Sequence, residues 1–250
     1  MYYNYHRSNL FDPKSGQVFK ISRSKLELFI NCPRCFYLDR RFGISQPGGY
    51  PFTLNMAVDK LLKKEFDLHR AKGDSHPLMK AYKIEAVPFN HPKMDQWRNN
   101  FEGIQVLHKA TNFLVFGAID DMWLSPKKEL IVVDYKATSV NKEVTLDDEW
   151  KDAYKRQMEI YQWLMRHNQD LTEYKVSDTG YFVYVNGKTD REAFDARLEF
   201  DVKIIPYKGN GSWVEKAILQ AHQCLSNDKL PQASDACDFC KYRKSAKGVE

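Results

Sequence analysis

Residues 113–138, FLVFGAIDDMWLSPKKELIVVDYKAT, constrain the chain most. Two apolar, β-branched runs, 113–124 and 130–136, flank Ser125-Pro126-Lys127-Lys128. Pro and Ser are turn residues, so the stretch predicts two adjacent antiparallel strands. Both runs end in acid, Asp120 and Asp121 on the first and Asp134 on the second. Strand side chains alternate faces with period two. Asp134 and Lys136 therefore share a face, Tyr135 points away, and only one of Asp120 and Asp121 can join the pair. Lone charges inside a sheet are costly. Two carboxylates and a lysine converging on a divalent cation would explain why an apolar Val132-Val133 run finishes in Asp-Tyr-Lys.

The rest of the chain reads as alternating helices and strands. Residues 1–20 predict an irregular arm. Ser22 or Ser24 caps a helix carrying Leu26, Leu28, Phe29 and Ile30; Pro33 breaks or restarts it and Gly43 ends the segment. A second helix over 54–70 repeats Leu54, Val58, Leu61, Leu62, Glu65 and Phe66 at helical spacing, with Asp59 and Lys63 on a neighbouring face. Strands are expected at 83–89 and 103–109, with a short helix near 94–100. Asp147-Asp148-Glu149 opens a helix through Trp150, Tyr154, Gln157, Tyr161 and Met165. Strands 179–185 and 193–205, separated by Asn186-Gly187, precede a last helix over 213–225. The expectation is one α/β domain over residues 1–250, with a small lobe built from the two termini (about 20–45 and 230–250).

Phosphodiester hydrolysis needs an activated water and charge stabilisation on the phosphoryl oxygens, and Mg²⁺ or Mn²⁺ on oxygen ligands supplies both. Asp120 and Asp134 can bridge such an ion, the Tyr135 carbonyl can add a ligand, and Lys136 can hold the water. Gln157 and Tyr161, at i and i+4, can orient Lys136 and touch a substrate backbone.

Gly117-Ala118-Ile119-Asp120, then Asp134-Tyr135-Lys136, then Gln157 and Tyr161 on a helix, resemble the PD-(D/E)XK nuclease superfamily and its RecB-like branch. The resemblance implies a restriction-endonuclease-like core with a mixed central sheet flanked by helices, a divalent metal, and nucleic-acid phosphodiester hydrolysis. Many RecB-like members carry a metal-binding His on an early helix. The matching position here is Asp59, which can ligate Mg²⁺ or Mn²⁺ or pair with Lys63. Asp121 sits where relatives often carry a basic residue.

Cys32-Pro33-Arg34-Cys35 and Cys237-Asp238-Phe239-Cys240 form two C-x₂-C pairs. Four thiolates suit tetrahedral Zn²⁺ or a [4Fe–4S] cluster, and either would staple the N-terminal helix to the C-terminal tail. The CPRCFYL segment resembles the iron–sulfur subset of the superfamily, the AddB-type and CRISPR adaptation-associated nucleases. That resemblance favours iron–sulfur, although the subset divides its cysteines one and three rather than two and two. Cys224 stands apart, as a residue of the last helix.

Of 250 residues, 38 are basic and 33 acidic, a net charge of +5. The first 50 hold eight of the bases and three of the acids, a balance that suits a polyanion partner or a solvated surface. Arg34, Arg40 and Arg41, interleaved with Phe36, Tyr37 and Phe42, are candidates for a nucleic-acid-binding groove, together with Tyr161. No apolar run approaches the ~20 residues of a membrane span, and no leader is visible, so a cytoplasmic protein is expected. Without a Gly-rich phosphate loop or helicase motif, ATP hydrolysis is not expected. The expected function is a metal-dependent deoxyribonuclease acting on single strands or ends in repair, recombination or defence, with a helicase or repair partner. The alternative is a non-catalytic nucleic-acid-binding subunit that keeps the fold and the staple.

Overall fold

The computed structural model describes residues 9–249. Along the chain run β1 (Phe19–Ser22), α1 (Arg23–Asn31), α2 (Pro33–Phe42), α3 (Thr53–Lys72), α4 (Pro77–Ala81), β2 (Val87–Pro88), α5 (Met94–Arg98), β3 (Ile104–His108) and β4 (Phe113–Gly117). Then follow β5 (Asp121–Leu124), β6 (Glu129–Thr138), α6 (Asp152–His167), β7 (Lys175–Val176), β8 (Thr179–Gly187), β9 (Phe200–Lys208), α7 (Val214–Ser226) and α8 (Asp238–Lys247). The described residues fall into two compact units. One takes those up to Tyr50, Gln105–Phe116 and those from Ser212 onward; the other takes Pro51–Ile104 and Gly117–Gly211.

The first unit joins both ends of the chain around a small sheet of order β1-β4-β3. Residues 1–8 of the expected arm lie outside the described residues. Its last part is a strand instead: Phe19 and Ile21 are buried, and β1 runs parallel to β4 with Phe19 beside Phe113. Ser22 caps α1, its hydroxyl accepting from the Lys25 N–H at 3.3 Å. Cys32 separates α1 from α2, and Pro33 occupies the first helical position, where it has no N–H to lose. Gly43 ends α2 in the left-handed region at φ 70°.

Asp39 is a buried acid on α2. It accepts from Lys25 Nζ at 2.7 Å and Ser45 Oγ at 2.8 Å, and pairs with Arg40. Burial alone would raise its carboxyl, but Lys25, Ser45 and Arg40 outweigh burial and hold it below the usual aspartate range. Its stabilisation is therefore complete above the unfolded value and lost as pH falls through the depressed folded one. Asp39→Asn should lower stability at neutral pH. The gap to the parent should close as pH drops below about 4, read from urea midpoints across that range.

The second unit is built on a six-stranded mixed sheet, order β2-β5-β6-β8-β9, with β7 beside β6. β5 and β6 are antiparallel, β6 and β8 parallel, β8 and β9 antiparallel. Ile131, Val133 and Tyr135 of β6 join Leu62 and Phe66 of α3 in one buried cluster with Trp123, Val183 and Val185. Only part of the apolar stripe expected on α3 is buried. Leu54 and Leu61 are exposed, and the inward row is Leu62, Phe66 and Arg70 at four-residue spacing. A Cβ on Gly180 of β8 would stand 2.4 Å from Met158 Sδ of α6 and 3.0 Å from the Val132 carbonyl oxygen, so glycine lets α6 lie close to the sheet. Buried Glu159 of α6 accepts from Tyr207 Oη at 2.7 Å and the Asn210 N–H at 2.9 Å, fixing the helix to the end of β9.

Three sequence expectations change here. The run 113–124 is not one strand. It breaks at 118–120, so β4 lies in the small sheet and β5 in the large one. Asn186-Gly187 is not a turn. Both residues pair within the β8–β9 ladder, and the loop falls at 188–199. Of strand 83–89, only Val87–Pro88 is paired.

Candidate active site

Asp120 stands one residue before β5. The ladder sets Asp121 opposite Val133 and Trp123 opposite Ile131. Directly opposed residues of an antiparallel pair share a face. One further step sets Asp120 opposite Asp134, on the side away from Tyr135. Asp120 Oδ2 accepts from the Tyr135 backbone N–H at 2.9 Å, which holds the carboxylate beside β6.

Asp134 is fully buried. Its Oδ1 accepts from Gln157 Nε2 at 2.9 Å, and its Oδ2 is ion-paired with the Lys136 ammonium. Lys136 also reaches Gln157 Oε1 at 3.4 Å and lies 4.6 Å from the centre of the Tyr154 ring. Gln157 spends its second N–H on Tyr161 Oη at 3.0 Å. Four of the expected residues thus form one hydrogen-bonded group, Asp134–Lys136–Gln157–Tyr161, with Asp120 beside it. Tyr161 is only 3% exposed. Its hydroxyl faces Gln157.

Lys63 of α3 was not expected at this site. Its Nζ lies 3.1 Å from Asp120 Oδ1 and 2.9 Å from Asp59 Oδ2. Asp59, the candidate ligand in the histidine position, is therefore taken up by Lys63, at the i,i+4 spacing the sequence displays. Burial, then the charge of Asp120, pushes the Asp59 carboxyl up despite Lys63. Burial would also raise Asp120, but Lys63 and Lys136 hold it below the usual range. For Lys136, burial works downward, and the Asp134 and Asp120 carboxylates outweigh it, so it stays an ammonium beyond the ordinary lysine range.

Asp121 faces the other way, as alternation requires, into a buried charge network. It accepts from Tyr135 Oη at 2.7 Å and pairs with Arg70 and with Arg98 Nη2 at 3.2 Å. Arg98 Nη1 also holds Asp67 at 2.9 Å, and its Nε donates to the Asp120 carbonyl oxygen at 2.9 Å. The network thereby fixes the bend on which Asp120 sits. The bend also needs a glycine nearby. Gly103 has φ +63°, and a Cβ there would lie 2.5 Å from the Gly117 carbonyl carbon.

The expected nucleic-acid arginines are engaged elsewhere in the first unit. Arg34 Nε donates to the Pro231 carbonyl at 2.8 Å, Arg40 pairs with Asp39, and Arg41 Nη1 donates to the Leu225 carbonyl at 2.7 Å. Arg40 and Arg41 side chains are 16% and 14% exposed. Their guanidinium groups tie the unit together. The four cysteines do meet: Cys32, Cys35, Cys237 and Cys240 place their sulfurs within 4.8 Å of one another.

A family model for the PD-(D/E)XK nuclease superfamily matches residues 51–245. The chain belongs to this superfamily. PD-(D/E)XK members are mostly nucleases, so membership makes nucleic acid the implied substrate class and a divalent metal the implied cofactor. One similar solved structure is the crystal structure of SSO0001, 13% identical over 87% of this chain and 81% of that one. The TM-score of that match is 0.39. No curated protein matches. No helix among the described residues is long and apolar enough to cross a membrane.

The acids fit a hard cation by donor chemistry. Asp120 and Asp134 offer carboxylate oxygens on one face, and each already holds a positive charge, from Lys63 and Lys136. Among the described residues, the cysteines are the group of three or more candidate ligand atoms that come together, within 4.8 Å of one another.

Proposed function

We propose that the chain is a divalent-metal-dependent DNA nuclease of the RecB-like branch, cutting phosphodiester bonds on single strands or ends in repair, recombination or defence. The observation that carries this reading is the Asp120 carboxylate bonded to the Tyr135 N–H, next to Asp134, with Lys136 and Gln157 bonded to Asp134. Asp120 and Asp134 would hold Mg²⁺ or Mn²⁺, with the Tyr135 carbonyl as a candidate third ligand. When bound, the ion supplies Lewis acidity toward a phosphoryl oxygen and makes water more acidic. Lys136 is an ammonium, so it donates: it orients the attacking water and stabilises negative charge developing on the phosphate. Gln157 keeps Lys136 and Asp134 in register, and Tyr161 fixes Gln157.

The test is incubation of end-labelled single-stranded and duplex DNA with the purified chain, in Mn²⁺ or Mg²⁺ against EDTA. Cleavage that needs the metal supports the reading, and absence of cleavage with either ion overturns it. A second reading, a binding subunit without catalysis, is favoured by the neutralisation of Asp120 and Asp59 by Lys63. Gel-shift binding of the same DNA without cutting would select it.

Lys63 bears directly on metal affinity. Its ammonium occupies the Asp120 oxygen that a cation would approach. Opposed unit charges near 4 Å interact by about 4 kcal/mol at an effective dielectric of 20. Lys63→Met should therefore bind Mn²⁺ at least about tenfold more tightly, measured by calorimetry. Weaker binding would show that Lys63 positions Asp120 instead of competing for it.

A further inference from the structure

We propose that the four-cysteine site binds a single tetrahedral Zn²⁺ and does not hold an iron–sulfur cluster. The inference concerns the first unit alone and stands whether or not the acid site is a nuclease.

The two knuckles are built alike. Cys32 and Cys237 are each the residue before a helix, with extended ψ angles of 102° and 104°. Cys35 and Cys240 are each the third residue of that helix. Each knuckle turns on its own backbone: the Phe36 N–H donates to the Cys32 carbonyl at 3.1 Å, and the Lys241 N–H to the Cys237 carbonyl at 3.0 Å. This aims both thiols of a knuckle at one point.

The sulfur spacing then separates the two metals. Cys32–Cys240 sulfurs are 3.8 Å apart, and Cys35 Sγ is 3.6 Å from both Cys237 and Cys240. All four lie within 4.8 Å of one another. These distances far exceed the ~2.0 Å S–S bond of a disulfide. A tetrahedron with Zn–S bonds of ~2.3 Å has S···S edges of ~3.8 Å. In a [4Fe–4S] cubane each cysteine binds a different iron, and the intervening cluster holds the thiolates farther apart than ligands of one ion can be. The expected iron–sulfur group does not fit this spacing, and a single ion does.

Contacts from α2 to the chain ahead of α8 bring the two knuckles together. Arg34 reaches Pro231, Tyr37 Oη donates to the Asn227 carbonyl at 3.0 Å, and Arg41 reaches Leu225. Three contacts from α2 thus anchor the segment leading into the second knuckle. The cysteines are at most 9% exposed, packed with Leu28 and Ala233, so the site is shielded from solvent.

The test uses the full chain, expressed with added iron and purified without oxygen, so that an iron–sulfur cluster has every chance to form and survive. Metal and acid-labile sulfide are then counted. One zinc per chain in a colourless protein is expected, with Co²⁺ replacing it to give the ligand-field bands of a tetrahedral tetrathiolate. Cys240→Ser should lose most of the zinc, and the Asp134→Asn chain should keep all of it. Brown protein with iron and stoichiometric sulfide overturns the proposal. So does one iron without sulfide, or a folded chain carrying no metal at these residues.

Discussion

Lys136→Met is expected to lower metal-supported DNA cleavage by about 100- to 1,000-fold or more while the chain stays folded. The Lys136 ammonium pairs with Asp134, touches Gln157 and lies over the Tyr154 ring. In the proposed mechanism, its loss takes a fixed cation from the charge developing on a phosphate and a donor from the attacking water. The substitution also leaves Asp134 buried with Gln157 but without its counter-ion. Breaking a buried pair costs about 3–5 kcal/mol, so the melting temperature should fall. Added Mn²⁺ should recover much of that loss if the ion binds the same carboxylate, as the proposed site requires. Lys136→Arg keeps the charge in a planar fork and should keep more stability than activity. Undiminished cleavage by Lys136→Met would remove Lys136 from the mechanism.

The largest effect on stability is expected at Asp121, which faces away from the Asp120 and Asp134 carboxylates. Asp121→Ala leaves Arg70 and Arg98 buried with one of their acids gone and strips the Tyr135 hydroxyl of its acceptor. The cost should reach about 3–5 kcal/mol, a third or more of the stability of many domains. Asp121→Asn keeps an acceptor for Tyr135 and should lose less. Denaturant midpoints with unchanged slopes would report this as stability. An Asp121→Ala chain within about 0.5 kcal/mol of the parent would show that Asp67 alone balances both arginines.

Much of the candidate site was legible in the sequence because strand alternation is rigid. Period two put Asp134 and Lys136 together and Tyr135 with Asp121, and the ladder follows that pattern. The two C-x₂-C spacings announced the cysteine site for a similar reason: a fixed short loop dictates where its ends point. What the sequence hid lies in long side chains and in non-local pairing. Arg40 and Arg41 beside aromatics read as an outer basic face, yet Arg41 and Tyr37 reach carbonyls at and just beyond the end of α7, where helix carbonyls lack partners. Asn186-Gly187 has turn chemistry, but the Asn186 side chain bonds the Val140 N–H at 2.9 Å and the Val140 carbonyl at 3.0 Å, and the strand continues. Arg70 was detectable, since it continues the four-residue row of Leu62 and Phe66. Lys63 was visible as a partner for Asp59, but its reach to Asp120 depends on how α3 lies against the sheet.

A cation site shared by Asp120 and Asp134 is tested most directly by Mn²⁺ titration, with the free ion followed by electron paramagnetic resonance. The parent chain should take up one more Mn²⁺ per chain than folded Asp134→Asn. Equal uptake by the two proteins would contradict metal binding at these carboxylates.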